Sequence, residues 1–115
     1  RNEGGDVLLV RHAYGPQVWT LPGGGMKHGE DAVETARREM MEELGAALHG
    51  PRLLGSVRET ISGSPHTAHV VTGLLGSDPR ADRREIAEAA FFAPDALPTP
   101  LSTLVAARLA LLKQG

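Results

Sequence analysis

The chain has 115 residues, no cysteine, a formal net charge of −2 and only 3% aromatic residues. This size makes one domain over residues 1–115 around one ordinary core. The missing thiols exclude a disulfide scaffold, a thiolate zinc site and a cysteine nucleophile. The balanced charge and scarce aromatics leave no footprint for a nucleic acid polymer or an anionic membrane.

The opening, Arg1-Asn2-Glu3-Gly4-Gly5, reads as a turn, and the expectation is that a strand before it is missing. No apolar run approaches the ~20 residues that span a bilayer, and no secretory signal opens the chain. A cytoplasmic protein is therefore expected. Asp6–His12 follows as a strand whose continuous apolar centre predicts cover on both faces. Ala13–Gln17 is a loop, and Val18–Leu21 a short strand stopped by Pro22 and three glycines. Asp31–Leu44 is the clearest helix: Asp31 as N-cap with Glu34 three residues on, a stripe of Val33, Ala36, Met40 and Leu44, and Gly45 as the left-handed cap. Leu53–Ile61 and His66–Leu75 read as two strands joined by Ser62–Pro65. A polar loop, Gly76–Arg84, leads to a short strand near Ala87–Ala93, and Leu101–Leu112 closes the chain as a helix. The mixture predicts a layered α/β arrangement.

Charge is concentrated in the central helix. Glu30, Asp31, Glu34, Glu39, Glu42 and Glu43 face only Arg37 and Arg38, so fourteen residues carry −4. Glu39, Glu42 and Glu43 stand at i, i+3 and i+4, within an arc of about 100° on the helix surface. Three like charges repel there, and they lie at the helix end where the macrodipole disfavours anions. A divalent cation reverses each of those terms, and an oxygen-only donor set suits Mg²⁺ or Mn²⁺. A solvated acidic face is the plain alternative for such a cluster. The glycines before the helix weigh against it, because they permit close backbone approach and expose carbonyls and N–H groups.

Gly24, five residues, Glu30, seven residues, Arg38-Glu39-Met40, one residue, Glu42-Glu43, one residue, Gly45 and Ala46: this spacing resembles the box of the Nudix (MutT-like) hydrolase family. The likeness extends loosely to Trp19–Gly24 and Phe91–Leu97. Ala46 is smaller than the aliphatic residue usual there. The resemblance implies an α/β/α sandwich with a mixed sheet, and a hydrolase of nucleoside diphosphates linked to a further group. It implies Glu39, Glu42 and Glu43 as ligands of Mg²⁺ (or Mn²⁺), with the Gly23 carbonyl as a fourth. Glu30 and Arg38 would pin the loop to the helix, and Gly24 and Gly45 would serve backbone geometry. Glu39, Glu42 and Glu43 would also carry catalysis, with Glu39 one candidate base, by activating water for in-line attack on phosphorus. A further acid from a later loop is expected, and Glu85 is favoured over Glu88 and Glu59.

Arg11, at the end of the first strand, is weighed as a substrate-phosphate contact against a plain surface arginine. Trp19 reads as packing before base stacking. The alternative to an enzyme is a non-catalytic Nudix-fold module that binds or senses a nucleotide, but every box glutamate is present. The isomerase chemistry of the family uses a cysteine, and none exists here. Where substrate-marking residues would follow the box, Ile61, Ser62, Gly63 and Ser64 stand instead. That points to a nucleoside triphosphate or a small sugar-nucleotide as a small-molecule substrate, with no polymer or membrane partner. Oligomeric state is not encoded legibly and is compatible with a homodimer.

Overall fold

A computed structural model describes residues 1–114; residue 115 of the expected single domain lies outside the described residues. The elements run β1 (Val7–His12), β2 (Trp19–Thr20), α1 (Ala32–Leu44), β3 (Leu48–Ile61), β4 (Ser64–Leu75), β5 (Ile86–Phe92) and α2 (Val105–Gln114). One sheet has the order β2-β1-β5, and β3 with β4 forms a separate hairpin. All three ladders of these sheets are antiparallel. The expected mixed sheet is present only as single parallel pairings. Trp19 bridges Leu101 in parallel. At the edge of β4, Arg1 donates its amino group to the Gly73 carbonyl at 3.0 Å, and the Leu75 N–H donates to the Arg1 carbonyl at 3.2 Å.

The apolar run of β1 explains the layering. Successive strand side chains point to opposite faces. Leu8 and Val10 join Met40 and Leu44 of α1, Leu48 and Ile86 in one cluster. Val7 and Leu9 join Val105 and Leu109 of α2 in the other. The central strand is thus covered on both sides, which makes the α/β/α sandwich. Trp19 packs edge-on against Phe92, with ring centroids 5.1 Å apart, on the α2 side.

Three boundaries differ from the sequence reading. β3 begins at Leu48 because the pairing passes over Gly50 and Pro51 as an irregularity between His49 and Arg52. The hairpin turns on two residues, Ser62 and Gly63, both with positive φ, and Pro65 already pairs with Thr60. Two left-handed residues give the turn whose twist matches the flanking strands. Finally, α2 starts at Val105, not Leu101. Leu101 is spent on the bridge to Trp19, and the Ser102 hydroxyl accepts from the Leu104 N–H at 3.3 Å.

Candidate functional site

Asp31 caps α1 by accepting from the Glu34 N–H at 2.8 Å. Gly45 ends it at φ 62°, ψ 26°, and its N–H reaches the Met41 carbonyl at 3.1 Å. Between the caps, the box residues divide by helix face. Arg38 grips Glu30 with two hydrogen bonds, Nε to Oε2 at 2.8 Å and Nη2 to Oε1 at 3.0 Å. Nη2 also donates to the Gly25 carbonyl at 3.0 Å. Glu30 further accepts from the Lys27 N–H at 2.8 Å and the Thr35 hydroxyl at 3.1 Å. The Arg38 guanidinium, first among these donors, holds the Glu30 carboxyl down at about 2. This network ties the glycine loop to the helix.

The other nitrogen of Arg38, Nη1, donates to Glu39 at 2.8 Å and Glu42 at 3.2 Å. The side chain of Glu39 is mostly buried, whereas that of Glu42 is 54% exposed. Gly24 has a plain steric reason. A Cβ there would stand 2.7 Å from Glu39 Oε1 and 2.8 Å from its Cδ, so the carboxylate lies across the glycine Cα.

Glu43 occupies a slot on the buried stripe of α1 beside Met40 and Leu44 and is only 6% exposed. Its Oε2 has no partner, the one such buried side-chain atom among the described residues. Burial, then hydrogen bonding to Glu39 and its charge, then Glu85 and Asp82, push this carboxyl up to about 8. A carboxylate in a core slot without a partner is costly unless a proton or a cation completes it.

The charge of Glu85 is felt at Glu43, whereas Glu88 lies on the other face of β5. β5 has an extra residue at Ala87, since Arg11 pairs with Glu88 while His12 pairs with Ile86. Ile86, Ala89 and Phe91 face α1, whereas Phe92 faces α2. Glu88 alternates with Phe92 onto the α2 face. There it pairs with Arg11, which also donates to Gln17 at 2.6 Å. Arg11 lines neither of the two cavities described below, so the structure does not bring it to the glutamates. Glu59 is held by Arg108 of α2.

Asp82, which the sequence reading did not single out, adds its charge to the field at Glu43. Its Oδ1 accepts from the N–H groups of Arg84, Glu85 and Ile86 at 3.0, 3.0 and 2.9 Å. Those bonds, led by the one from Ile86, hold its carboxyl below the usual range and fold residues 82–86 around it. The signal was an aspartate followed by a strand start, the pattern of a side chain that caps its own following backbone.

Two cavities share the walls Gly23, Gly24, Thr35, His69 and Arg108. One, of about 400 Å³, lies between the glycine loop and β4. The other, of about 180 Å³, reaches Glu39 and Met40. Of the acids of α1, Glu39 lines the smaller cavity, Glu43 with its unpartnered Oε2 lies beside it, and Glu42 is turned outward; these three offer oxygen donors only. That set suits a hard divalent cation. As the side chains stand, among the described residues no three acidic or histidine side chains are gathered closely enough to hold one. Arg38 turns Glu42 outward.

The family model described as NUDIX domain matches residues 1–113. The MutT NUDIX hydrolase from Burkholderia pseudomallei is 30% identical, with a TM-score of 0.83 over 94% of this chain and 88% of that one. A UDP-X diphosphatase structure is also 30% identical, with a TM-score of 0.82 over 98% of this chain and 57% of that one. An RNA pyrophosphohydrolase of Serratia proteamaculans (strain 568) is 40% identical over 57 residues, 50% of this chain. The match spans 32% of that relative's length.

Proposed function

The chain belongs to the NUDIX domain family, and on that premise we propose that it is a divalent-cation-dependent pyrophosphohydrolase acting on a nucleotide-type substrate. The observation that carries the reading is Glu43: a carboxylate sunk in the core slot of α1, one oxygen without a partner, beside the Glu39 carboxylate. No packing requirement explains an acid there, and a hard cation does.

Glu39 and Glu43 would hold Mg²⁺ (or Mn²⁺), with Glu42 and the Gly23 carbonyl completing the set. When bound, the cation neutralises phosphate oxygens and makes water a stronger nucleophile. Glu30 and Arg38 keep the glycine loop against α1, so the backbone at Gly23–Gly25 stays open to a diphosphate. Glu85, positioned by the backbone wrapped round Asp82, is the proposed base that takes the proton of attacking water. Arg11 has no part in this site, because Glu88 and Gln17 already hold it.

The names of the relatives frame the substrate. Both an RNA pyrophosphohydrolase and a UDP-X diphosphatase cleave a phosphoanhydride, and an RNA chain carries one only at a 5′ polyphosphate end. A nucleoside triphosphate, a sugar-nucleotide and a 5′-triphosphorylated oligonucleotide are therefore the substrates to assay, a range wider than the nucleoside triphosphate or small sugar-nucleotide expected from the residues after the box. With Mg²⁺, at least one should release phosphate, pyrophosphate or a nucleoside monophosphate, and chelation should stop it. No release from any of them with Mg²⁺ or Mn²⁺ overturns the proposal.

A further inference from the structure

The larger cavity is segregated by charge. Among the described residues no carboxylate lines it, and its polar side chains are His12, Thr20, Thr35, His66, Thr67, His69 and Arg108. The acids stand at the other end, where Glu39 lines only the smaller cavity. Arg108 belongs to both walls. It comes from α2, outside the box, and Glu59 fixes it from behind: Nε to Oε2 at 3.0 Å and Nη2 to Oε1 at 2.7 Å. Glu59 has a side chain only 5% exposed and lines neither cavity. The pair is therefore a dipole with its positive end at the cleft.

A guanidinium gripped along its Nε/Nη2 edge presents Nη1 on the opposite edge. That nitrogen has no partner among the described residues, since both hydrogen bonds of Arg108 go to Glu59. One N–H of Nη1 and the remaining N–H of Nη2 form a rigid planar edge that matches an anionic oxygen pair. The neighbouring wall reinforces the match. Ser56 and His69 share a 2.7 Å hydrogen bond, and His66 stands opposite Glu59 in the hairpin register.

We infer that Arg108, positioned by Glu59, is a specificity-determining residue that binds a second anionic group on the substrate, remote from the diphosphate. The inference rests on the pyrophosphohydrolase reading for where the diphosphate lies. The shared chemistry is a phosphate or carboxylate. Its source is either the nucleoside side, as a phosphate on the sugar, or the linked group, as an acid sugar.

The test is equilibrium binding with Mg²⁺ to analogues whose anhydride oxygen is replaced by methylene, so that turnover is not needed. One pair is a nucleoside 5′-diphosphate with and without a 3′-phosphate. The other is a nucleoside diphosphate hexuronate against the matching hexose. The anionic member of at least one pair should bind tenfold tighter or more, and the responding pair identifies the source. Arg108→Lys keeps the charge beside Glu59 but loses the fork, and should cut that preference below threefold. Glu59→Gln/Arg108→Met removes the buried pair together, which spares the fold an unpaired charge, and should abolish the preference. A wild-type chain without preference in either pair overturns the inference. So does a preference that survives in both variants while all ligands weaken equally, the mark of a merely structural arginine. Turnover without the preference sinks this inference alone; the preference without turnover on any substrate sinks the hydrolase reading alone.

Discussion

Replacing Glu43 by glutamine separates the electrostatic cost of the site from its use. In the cation-free protein the folded chain keeps the Glu43 proton up to about pH 8, while the unfolded chain loses it near 4.5. Between those values the folded state binds more protons, so stability falls as pH rises through this window and the loss is complete above about pH 8. The tenfold-per-unit proton affinity gives a ceiling of about 5 kcal/mol. Buried charges interact as if in a medium well above the dry-protein dielectric and Glu39 shares the proton, which leaves about 1–3 kcal/mol. At roughly 4 °C of Tm per kcal/mol for a domain of this size, that is roughly 4–12 °C. Glu43→Gln keeps the shape, and its amide can donate to Glu39. In EDTA the variant should therefore match wild type near pH 4.5 and melt roughly 4–12 °C higher at pH 9. With Mg²⁺ the gap should close or reverse. A ligand at one hundred times its Kd adds about 2.7 kcal/mol to the wild type, and the variant should lose most of that gain along with turnover. Thermal unfolding across pH, with and without Mg²⁺, reads both effects. A variant whose pH slope in EDTA equals that of wild type refutes the argument, because Glu43 would then not be the group that holds the proton. Activity within threefold of wild type at saturating Mg²⁺ would refute the cation role separately.

Gly24→Ala places a methyl group 2.7 Å from Glu39 Oε1; we expect a folded protein with kcat at least about 100-fold lower, in the range for a displaced reacting group, and weaker Mg²⁺ binding by calorimetry. An Mg²⁺ affinity equal to wild type would show that Glu39 does not hold the cation. Glu30→Gln breaks the bidentate hold on Arg38; because the Glu30 carboxyl sits at about 2, its contribution is present above the unfolded value of 4.5 and is lost as pH falls through about 2. The variant should therefore show a shallower loss of Tm on acidification than wild type, together with reduced kcat at neutral pH. Glu85→Gln should lower kcat by about 10²-fold or more if it is the base, whereas Glu88→Gln, on the other face of β5, should change Tm more than kcat. The opposite ranking would place the α2 face, not the α1 face, at the reaction.

What the sequence made legible follows from local rules. The apolar run of β1 needs cover on both faces whatever its partners are, and α1 announces both ends through Asp31 and Gly45. Two left-handed residues in Ser62-Gly63 and the start of β3 before Gly50-Pro51 were hidden, because glycine and proline read as breaks until pairing shows that a strand can carry them. The site was legible as a composition of α1 and less so as a geometry. Glu39, Glu42 and Glu43 share an arc on a helical projection, yet the arc straddles the edge of the buried stripe, and only packing decides which acid falls inside. Asp82 and Arg108 were illegible for another reason. One acts through the backbone it folds, and the other through a partner 49 residues away.

The division of Arg38 reconciles a cation site with side chains that have not gathered round one. Its Nε and Nη2 are committed to Glu30 and the Gly25 carbonyl, bonds that a cation at Glu39 and Glu43 does not need. Its Nη1 alone spans Glu39 and Glu42. Removing that single donor leaves the loop anchored and frees two carboxylates, one of them on the solvent side and at liberty to rotate. A guanidinium nitrogen is thus a cationic placeholder for acids that would otherwise repel one another. On the proposed reading, the exchange of that placeholder for a divalent ion costs two hydrogen bonds, one to the mostly buried Glu39 and one to the exposed Glu42, together on the order of 2–3 kcal/mol. The proton on Glu43 is a second competitor of the cation, and raising the pH from 6 to 8 should tighten Mg²⁺ binding rather than weaken it.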